Sequence, residues 1–369
     1  MRHTGFFTDE RCFWHAGGNY AFTLPIGGNV QPLAAGGLPE NPETKRRLKN
    51  LIEVTGLAPD LDIRSASAVS RDDLLRVHPA TFIDEFKRLS DAGGGELGLR
   101  TPFAKGGFEI AALSAGLARQ ALFSVLQGEL DNAYALSRPP GHHCLPDFPN
   151  GFCLLANIAI AIKAAQAKGL AKRIAVVDWD VHHGNGTEHI FYESPDVLTI
   201  SIHQEHNYPL DSGDLADRGA GAGEGANINI PLPPGAGHVA YLEVIDRIIH
   251  PALARFEPEV IIIACGFDAA AVDPLSRMLC TAETYRLMTR HMIEAANDLC
   301  NGRLVMVHEG GYSEVYVPFC GHAVLEELSA SSITTPDPLA DTLAIRQPNE
   351  RVQRFHSDII AEMAAALAP

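Results

Sequence analysis

The residues best suited to chemistry in this sequence are Asp178, Asp180 and His182, which alternate in the segment RIAVVDWDVHH. In an extended chain, residues two apart point to the same side. Asp180 and His182 can therefore address one metal ion while Asp178 supports them from behind. Asp268, closing the apolar run VIIIACGFD, is the natural third ligand from a neighbouring strand. Two carboxylates and an imidazole without thiolate suit a catalytic zinc, or another borderline divalent ion, better than a structural zinc. Three protein ligands leave a position for water and a substrate carbonyl.

Two further clusters offer what ligands cannot. In RPPGHH, Arg138 to His143, two histidines follow Pro-Pro-Gly and so sit on a rigid loop, not in a helix. His142 and His143 can together remove a proton from water and protonate a leaving amine. In HEGGY, Gly310 and Gly311 permit close backbone approach, and the phenol of Tyr312 can hydrogen-bond an oxyanion.

All of these groups stand where short apolar runs end. RIAVVDWD, VLTISIH, VIIIACGFD and LVMVHEGG read as buried strands, preceded by NAYALS. Helices are expected near residues 43–57, 71–90 (opening on Ser70 as N-cap), 107–127, 156–169, 237–256 and 283–299. Val- and Ile-rich runs spaced by helices predict an α/β fold with a mostly parallel central sheet covered by helices on both faces. In such sheets the ligand crevice lies outside the carboxyl ends of the strands. One Asp or His after a strand is usually a structural group; four strand ends converging are hard to explain by stability. Residues 1–45 are rich in Gly and Pro and read as a long loop covering the site. With no internal repeat or linker, residues 1–369 read as a single domain.

The bulk properties narrow the partners. With 29 basic and 45 acidic residues the formal charge is −16, which argues against nucleic acid and is compatible with a cationic substrate or product. Seven scattered cysteines without a CxxC pair read as reduced thiols of a cytoplasmic protein. The N-terminus MRHTGFFTDERCFWH has no apolar core of a secretory signal, and stretches such as FCLLANIAIAI are too short to span a bilayer, so no membrane is expected.

RPPGHH, NGFC (Asn150 to Cys153), DWDVHHGNGT, GFDAAAVDP and HEGGY, in this order, resemble the zinc-dependent histone deacetylase superfamily, which includes bacterial acetylpolyamine amidohydrolases. Asn185 and the opening TDERCFWH…LPIGG resemble its bacterial class II amidohydrolases. The resemblance implies an arginase/deacetylase-like fold and zinc on Asp180, His182 and Asp268, with Fe2+ as the alternative ion. It implies His143 as general base and acid, His142 as an electrostatic partner held by Asp178, Asn185 as partner of His143, and Tyr312 polarising the acyl carbonyl. Phe152 and Tyr208 would flank a narrow channel and Gly151 would offer its carbonyl to the amide N–H. A structural K+ would sit on Asp178, Asp180, His182, Ser201 and Ile202, mainly through backbone oxygens. Tyr208 stands where many relatives have Phe, and Cys144 where Ala is common; both are expected to tune acyl preference.

The implied activity is removal of acetyl or other acyl groups from lysine-like amines, on a peptide, a protein or a small acylated amine. An acetylpolyamine amidohydrolase is the alternative. Polyamine-selective class II relatives carry a Glu in a D-P-E context where this chain has Leu275, after Asp273-Pro274. A non-catalytic acyl-lysine binding module is the outside alternative, and it would have lost Tyr312 or a metal ligand, all of which are present. A homo-oligomer is a further expectation, with the N-terminal loop as contact surface.

Overall fold

In a computed structural model, which describes residues 1–31 and 37–368, the chain builds one eight-stranded sheet. In chain order its strands are β1 (Thr4–Phe7), β2 (Asp62–Arg64), β3 (Asn132–Ala135), β4 (Ile174–Asp178), β5 (Val197–Gln204), β6 (Asn227–Leu232), β7 (Val260–Cys265) and β8 (Leu304–His308). Their spatial order is β6-β5-β4-β7-β8-β3-β1-β2, and every pairing is parallel. Parallel strands need crossovers, and the helices that make them cover the sheet. Every residue of β3, β4, β7 and β8 is buried, the reason these strands read as continuous apolar runs.

The chain runs outward from β4 through β5 to β6, then returns to lay β7 on the other side of β4. The β4–β7 boundary is thus a topological switch point, where loops diverge above the strand ends and leave a crevice. Asp178 ends β4, and Asp180, His182 and Asp268 lie just past the ends of β4 and β7.

Four expectations need correction. The N-terminal segment is not all loop: Thr4–Phe7 pairs with both β2 and β3 inside the main sheet. It is followed by a 3-10 turn, Glu10–Trp14, and a short hairpin of Tyr20–Ala21 with Leu24–Pro25. Four residues carry too little pattern to betray a strand, and pairing with distant neighbours specifies it. Residues 32–36 of that segment lie outside the described residues. The helix expected over 71–90 is two, Arg71–Leu75 and Ala80–Ala92, because Pro79 has no N–H to continue the first and opens the second. Ser70 does cap the first, accepting from Asp73 N.

The third correction concerns hydropathy. The helix Gly107–Leu126 is long and apolar enough to cross a membrane by composition, but 78% of that window is buried inside the protein. Fourth, the helical region expected over 237–256 is present, but it is not α-helical throughout: a π-helical turn, Ile245–Ile249, joins His238–Val244 to His250–Phe256. All seven cysteines are buried and unpaired.

Candidate active site

At the β4–β7 switch point the three expected ligands meet. His182 Nδ1 lies 3.0 Å from Asp180 Oδ1 and 3.1 Å from Asp268 Oδ2, and neither carboxylate is exposed to solvent. Backbone donors aim both carboxylates. Gly310 N donates to Asp180 Oδ2 at 2.7 Å, and Val181 N to Asp268 Oδ1 at 2.8 Å. A Cβ at Gly310 would collide with the oxygens of both aspartates, so glycine is required there.

Two buried carboxylates this close repel, and the cost falls on Asp268, while, against burial, His142 and His182 hold Asp180 below its ordinary value. Burial raises Asp268 and Asp180 raises it further, to about 6. Burial opposes the charged form of His182, yet Asp268 and Asp180 carry it up to about 10. A divalent cation resolves that conflict, and two carboxylates with one imidazole, all donor atoms within 4.8 Å of one another, fit a borderline ion.

The histidine pair stands beside this cluster. His142 Nδ1 is 2.9 Å from Asp178 Oδ2, and His143 Nδ1 is 2.8 Å from Asn185 Oδ1. The rings are 4.0 Å apart between centroids. Burial lowers His142, but Asp180 and Asp178 outweigh it and raise the imidazole well above its ordinary value. Burial drives His143 the other way, and the cations His142 and His182 add to the drop. The pair is thus split into a cation and a neutral base.

Glu309, in HEGGY, fixes the loop that carries them. Its Oε2 accepts from Gly141 N at 2.7 Å and His142 N at 3.1 Å. Asp273 does the same for Tyr312, accepting from its N–H at 2.8 Å while its other oxygen accepts from Leu275 N. Neither role was apparent from sequence, although the strand-end rule that singled out His308–Tyr312 already covered Glu309. Burial, then Asp268 and Asp180, raise the Tyr312 phenol well above its usual value, so it remains an O–H donor.

A channel of about 150 Å³ opens onto this cluster, lined by His143, Gly151, Phe152, His182, Tyr208, Leu275 and Tyr312, with Thr23, Arg100 and Asn207. Phe152 stands edge-on to Tyr312 with centroids 5.7 Å apart, and Tyr208 edge-on to His143 at 5.1 Å. At Gly151, φ is +49°, and a Cβ would meet His143 Cδ2 at 2.5 Å and Tyr208 Cε1 at 2.8 Å. Tyr20 and Leu38 pack with Phe152 and Tyr312, so part of the N-terminal segment does cover the site.

At Tyr208 and Cys144, where this chain departs from the pattern it resembles, the two side chains are placed differently. The Tyr208 hydroxyl donates to Asn150 Oδ1 and is spent there, so the ring presents an apolar wall. Tyr208→Phe is accordingly expected to change kcat/KM by less than about threefold, within the worth of one partly exposed hydrogen bond; a larger loss would show the hydroxyl reaching substrate. Cys144 is buried with its thiol on Leu145 O and does not line the channel.

For the expected potassium residues, strand register sets Asp178 opposite Ser201, with Ile202 next along β5. Among the described residues no N–H donates to the carbonyl oxygens of Asp180 or His182. Both residues are buried, and buried carbonyls without donors call for another partner. The donor set fits a hard monovalent cation.

A buried charge cluster lies behind the histidine loop. Glu40 Oε1 accepts from Arg138 Nε at 2.9 Å and from Lys45 Nζ at 3.1 Å, all three side chains being at most 2% exposed. Arg138 Nη1 also donates to the carbonyls of Cys12 and His15. It thereby ties the N-terminal segment to the residue that precedes Pro139.

The chain matches the family model described as histone deacetylase domain over residues 38–328. It is 56% identical over 364 residues to a histone deacetylase-like amidohydrolase of Pseudomonas aeruginosa, covering 99% of this chain and 96% of that one. It is 39% identical to a probable deacetylase of Archaeoglobus fulgidus, covering 79% and 81% of the two chains. Among solved structures, the HDA15 HD domain superposes with a TM-score of 0.81 at 30% identity, over 99% of this chain and 98% of that one.

Proposed function

The chain belongs to the histone deacetylase family, and on that premise we propose that it hydrolyses acyl-lysine amides in peptides or proteins. The reading takes zinc, or Fe2+ in its place, on Asp180, His182 and Asp268. One observation carries it: a cation-seeking cluster, a split histidine pair and a phenol donor converge at one narrow channel.

Held there, zinc supplies Lewis acidity toward the acyl carbonyl and the attacking water. The amide oxygen of Asn185 accepts from His143 Nδ1, which leaves the Nε2 lone pair free to take the proton of that water. His143, kept neutral at rest by burial and by cationic His142, takes that proton and then returns it to the leaving amine nitrogen. His142, kept cationic by Asp180 and Asp178, stabilises the negative charge that builds on the substrate. Tyr312 donates its O–H to the developing oxyanion. Phe152 and Tyr208 flank the aliphatic chain, and the Gly151 carbonyl accepts the amide N–H. Potassium on the carbonyls of Asp178, Asp180, His182, Ser201 and Ile202 would brace the ligand loop.

Two rim residues favour acyl-lysine over acetylpolyamine. Leu275 offers no carboxylate to a distal ammonium, and the Arg100 guanidinium lies 5.3 Å from the Tyr208 ring centroid at the channel lining, opposing a cationic tail. On metal-replete protein, kcat/KM for an acetyl-lysine peptide should exceed that for acetylputrescine by at least about tenfold, the equivalent of about 1.4 kcal/mol. Equal or reversed preference would overturn the substrate assignment, and hydrolysis of neither would overturn the activity.

A further inference from the structure

A second group of metal-ligating side chains lies away from the channel. Asp246 projects from the π-helical turn, His250 opens the next helix, and His291 sits on the helix Ala282–Cys300. One ligand atom from each falls within 4.8 Å of the others. Asp246 Oδ1 is 3.6 Å from His291 Nδ1 and 3.8 Å from His250 Nδ1, and the imidazole centroids are 5.4 Å apart.

These separations exceed hydrogen-bonding distance. They approach what a shared ion imposes, since two donors bound at about 2.1 Å in a tetrahedral site stand about 3.4 Å from each other. Among the described residues no hydrogen bond engages the His250 side chain, and its Nε2 is buried without a partner. Its Nδ1 makes no hydrogen bond either and stands 3.8 Å from Asp246 Oδ1, so it is available as a ligand atom. Ile245, Ile248 and Ile249 are buried and anchor the turn from below, so Asp246 and His250 are presented from a fixed base. Single π turns inside helices are rare and are frequent at functional sites.

We propose that Asp246, His250 and His291 bind a divalent transition-metal ion at the surface, separately from Asp180, His182 and Asp268. Two imidazoles and one carboxylate select zinc, cobalt, nickel or copper over magnesium or calcium. The side chains are 58%, 32% and 28% exposed, so the ion keeps water in its remaining positions. Its role is to clamp the 245–256 helical region to the helix Ala282–Cys300. The formal charge of −16 favours capture of the cation.

The test is equilibrium dialysis against micromolar free zinc, followed by metal counting, on wild type and on the His250→Ala/His291→Ala double variant. Wild type should retain one equivalent more than the variant, whatever number both hold elsewhere, and deacylase turnover should be the same in both. Added zinc should raise the thermal midpoint of wild type above that of the variant, while the two coincide in EDTA and magnesium substitutes for zinc in neither. Equal metal counts in the two proteins would overturn the assignment.

Discussion

Replacing His143 with alanine is expected to lower kcat on an acetyl-lysine reporter by about 10²–10⁴-fold, the usual worth of a positioned acid–base group. No neighbour can substitute. His142 is turned to Asp178 and held in its cationic form, and His182 faces the two carboxylates through Nδ1. Thermal stability and metal content should be retained, because His143 contributes neither a ligand atom nor much core. Tyr312→Phe should follow with a loss of about 10²–10³-fold, as for a single oxyanion donor. Near-normal turnover of a folded His143→Ala protein would sink the mechanism. The same geometry sets a pH dependence. Burial and the adjacent His142 cation depress His143, so its base form is lost only as pH falls below the ordinary imidazole range. The acid limb of the kcat/KM profile should accordingly lie below pH 6.5, the unshifted value.

Glu40→Ala is expected to destabilise the protein by about 3–5 kcal/mol, because it strands Arg138 and Lys45 as unpaired buried cations. Against typical stabilities of about 5–15 kcal/mol, such a loss is a large fraction of the total. Urea unfolding would read it as a lowered midpoint with an unchanged slope. The pH dependence has a definite sign. Burial works to raise the Glu40 carboxyl, but Arg138 and Lys45 overcome it and hold the group at about 2, below its ordinary 4.5. Its contribution is therefore complete above pH 4.5 and is lost as pH falls toward 2. Wild type should lose stability across that interval more steeply than Glu40→Gln. Matching slopes would mean the cluster is not ionised as described. Since Arg138 begins the Pro-Pro-Gly-His-His loop, the alanine variant should also lose activity at temperatures where it is still folded.

How much of this could be read in advance depended on where the information lay. Asp180, His182 and Asp268 were visible because polar ligands beside apolar strand ends break a strong pattern, and parallel strands lead to one edge. Asn185 and Leu275 gained meaning only through resemblance to a family. Glu40 and Lys45 could not be found, because a charge in a Gly- and Pro-rich stretch reads as solvated; only packing shows both to be buried and paired. Glu309 and Asp273 were in quoted motifs, yet their use is to receive backbone N–H groups, which residue type does not announce. The strand β6, NINIPL, escaped notice because Asn and Pro disguise it, and its place at the sheet edge is what tolerates Pro231. Thr4–Phe7 escaped because its partners lie far along the chain.

That last strand bears on how the protein is born. Thr4–Phe7 is synthesised well before Asn132–Ala135, but it sits between β2 and β3, so its inner edge cannot be closed until that later strand has emerged. At about 5–20 residues per second, an apolar pair of phenylalanines stays without its final cover for on the order of ten seconds. Nascent chains shorter than that should depend on a holding chaperone, and N-terminal fusions should affect yield far more than they affect the finished enzyme.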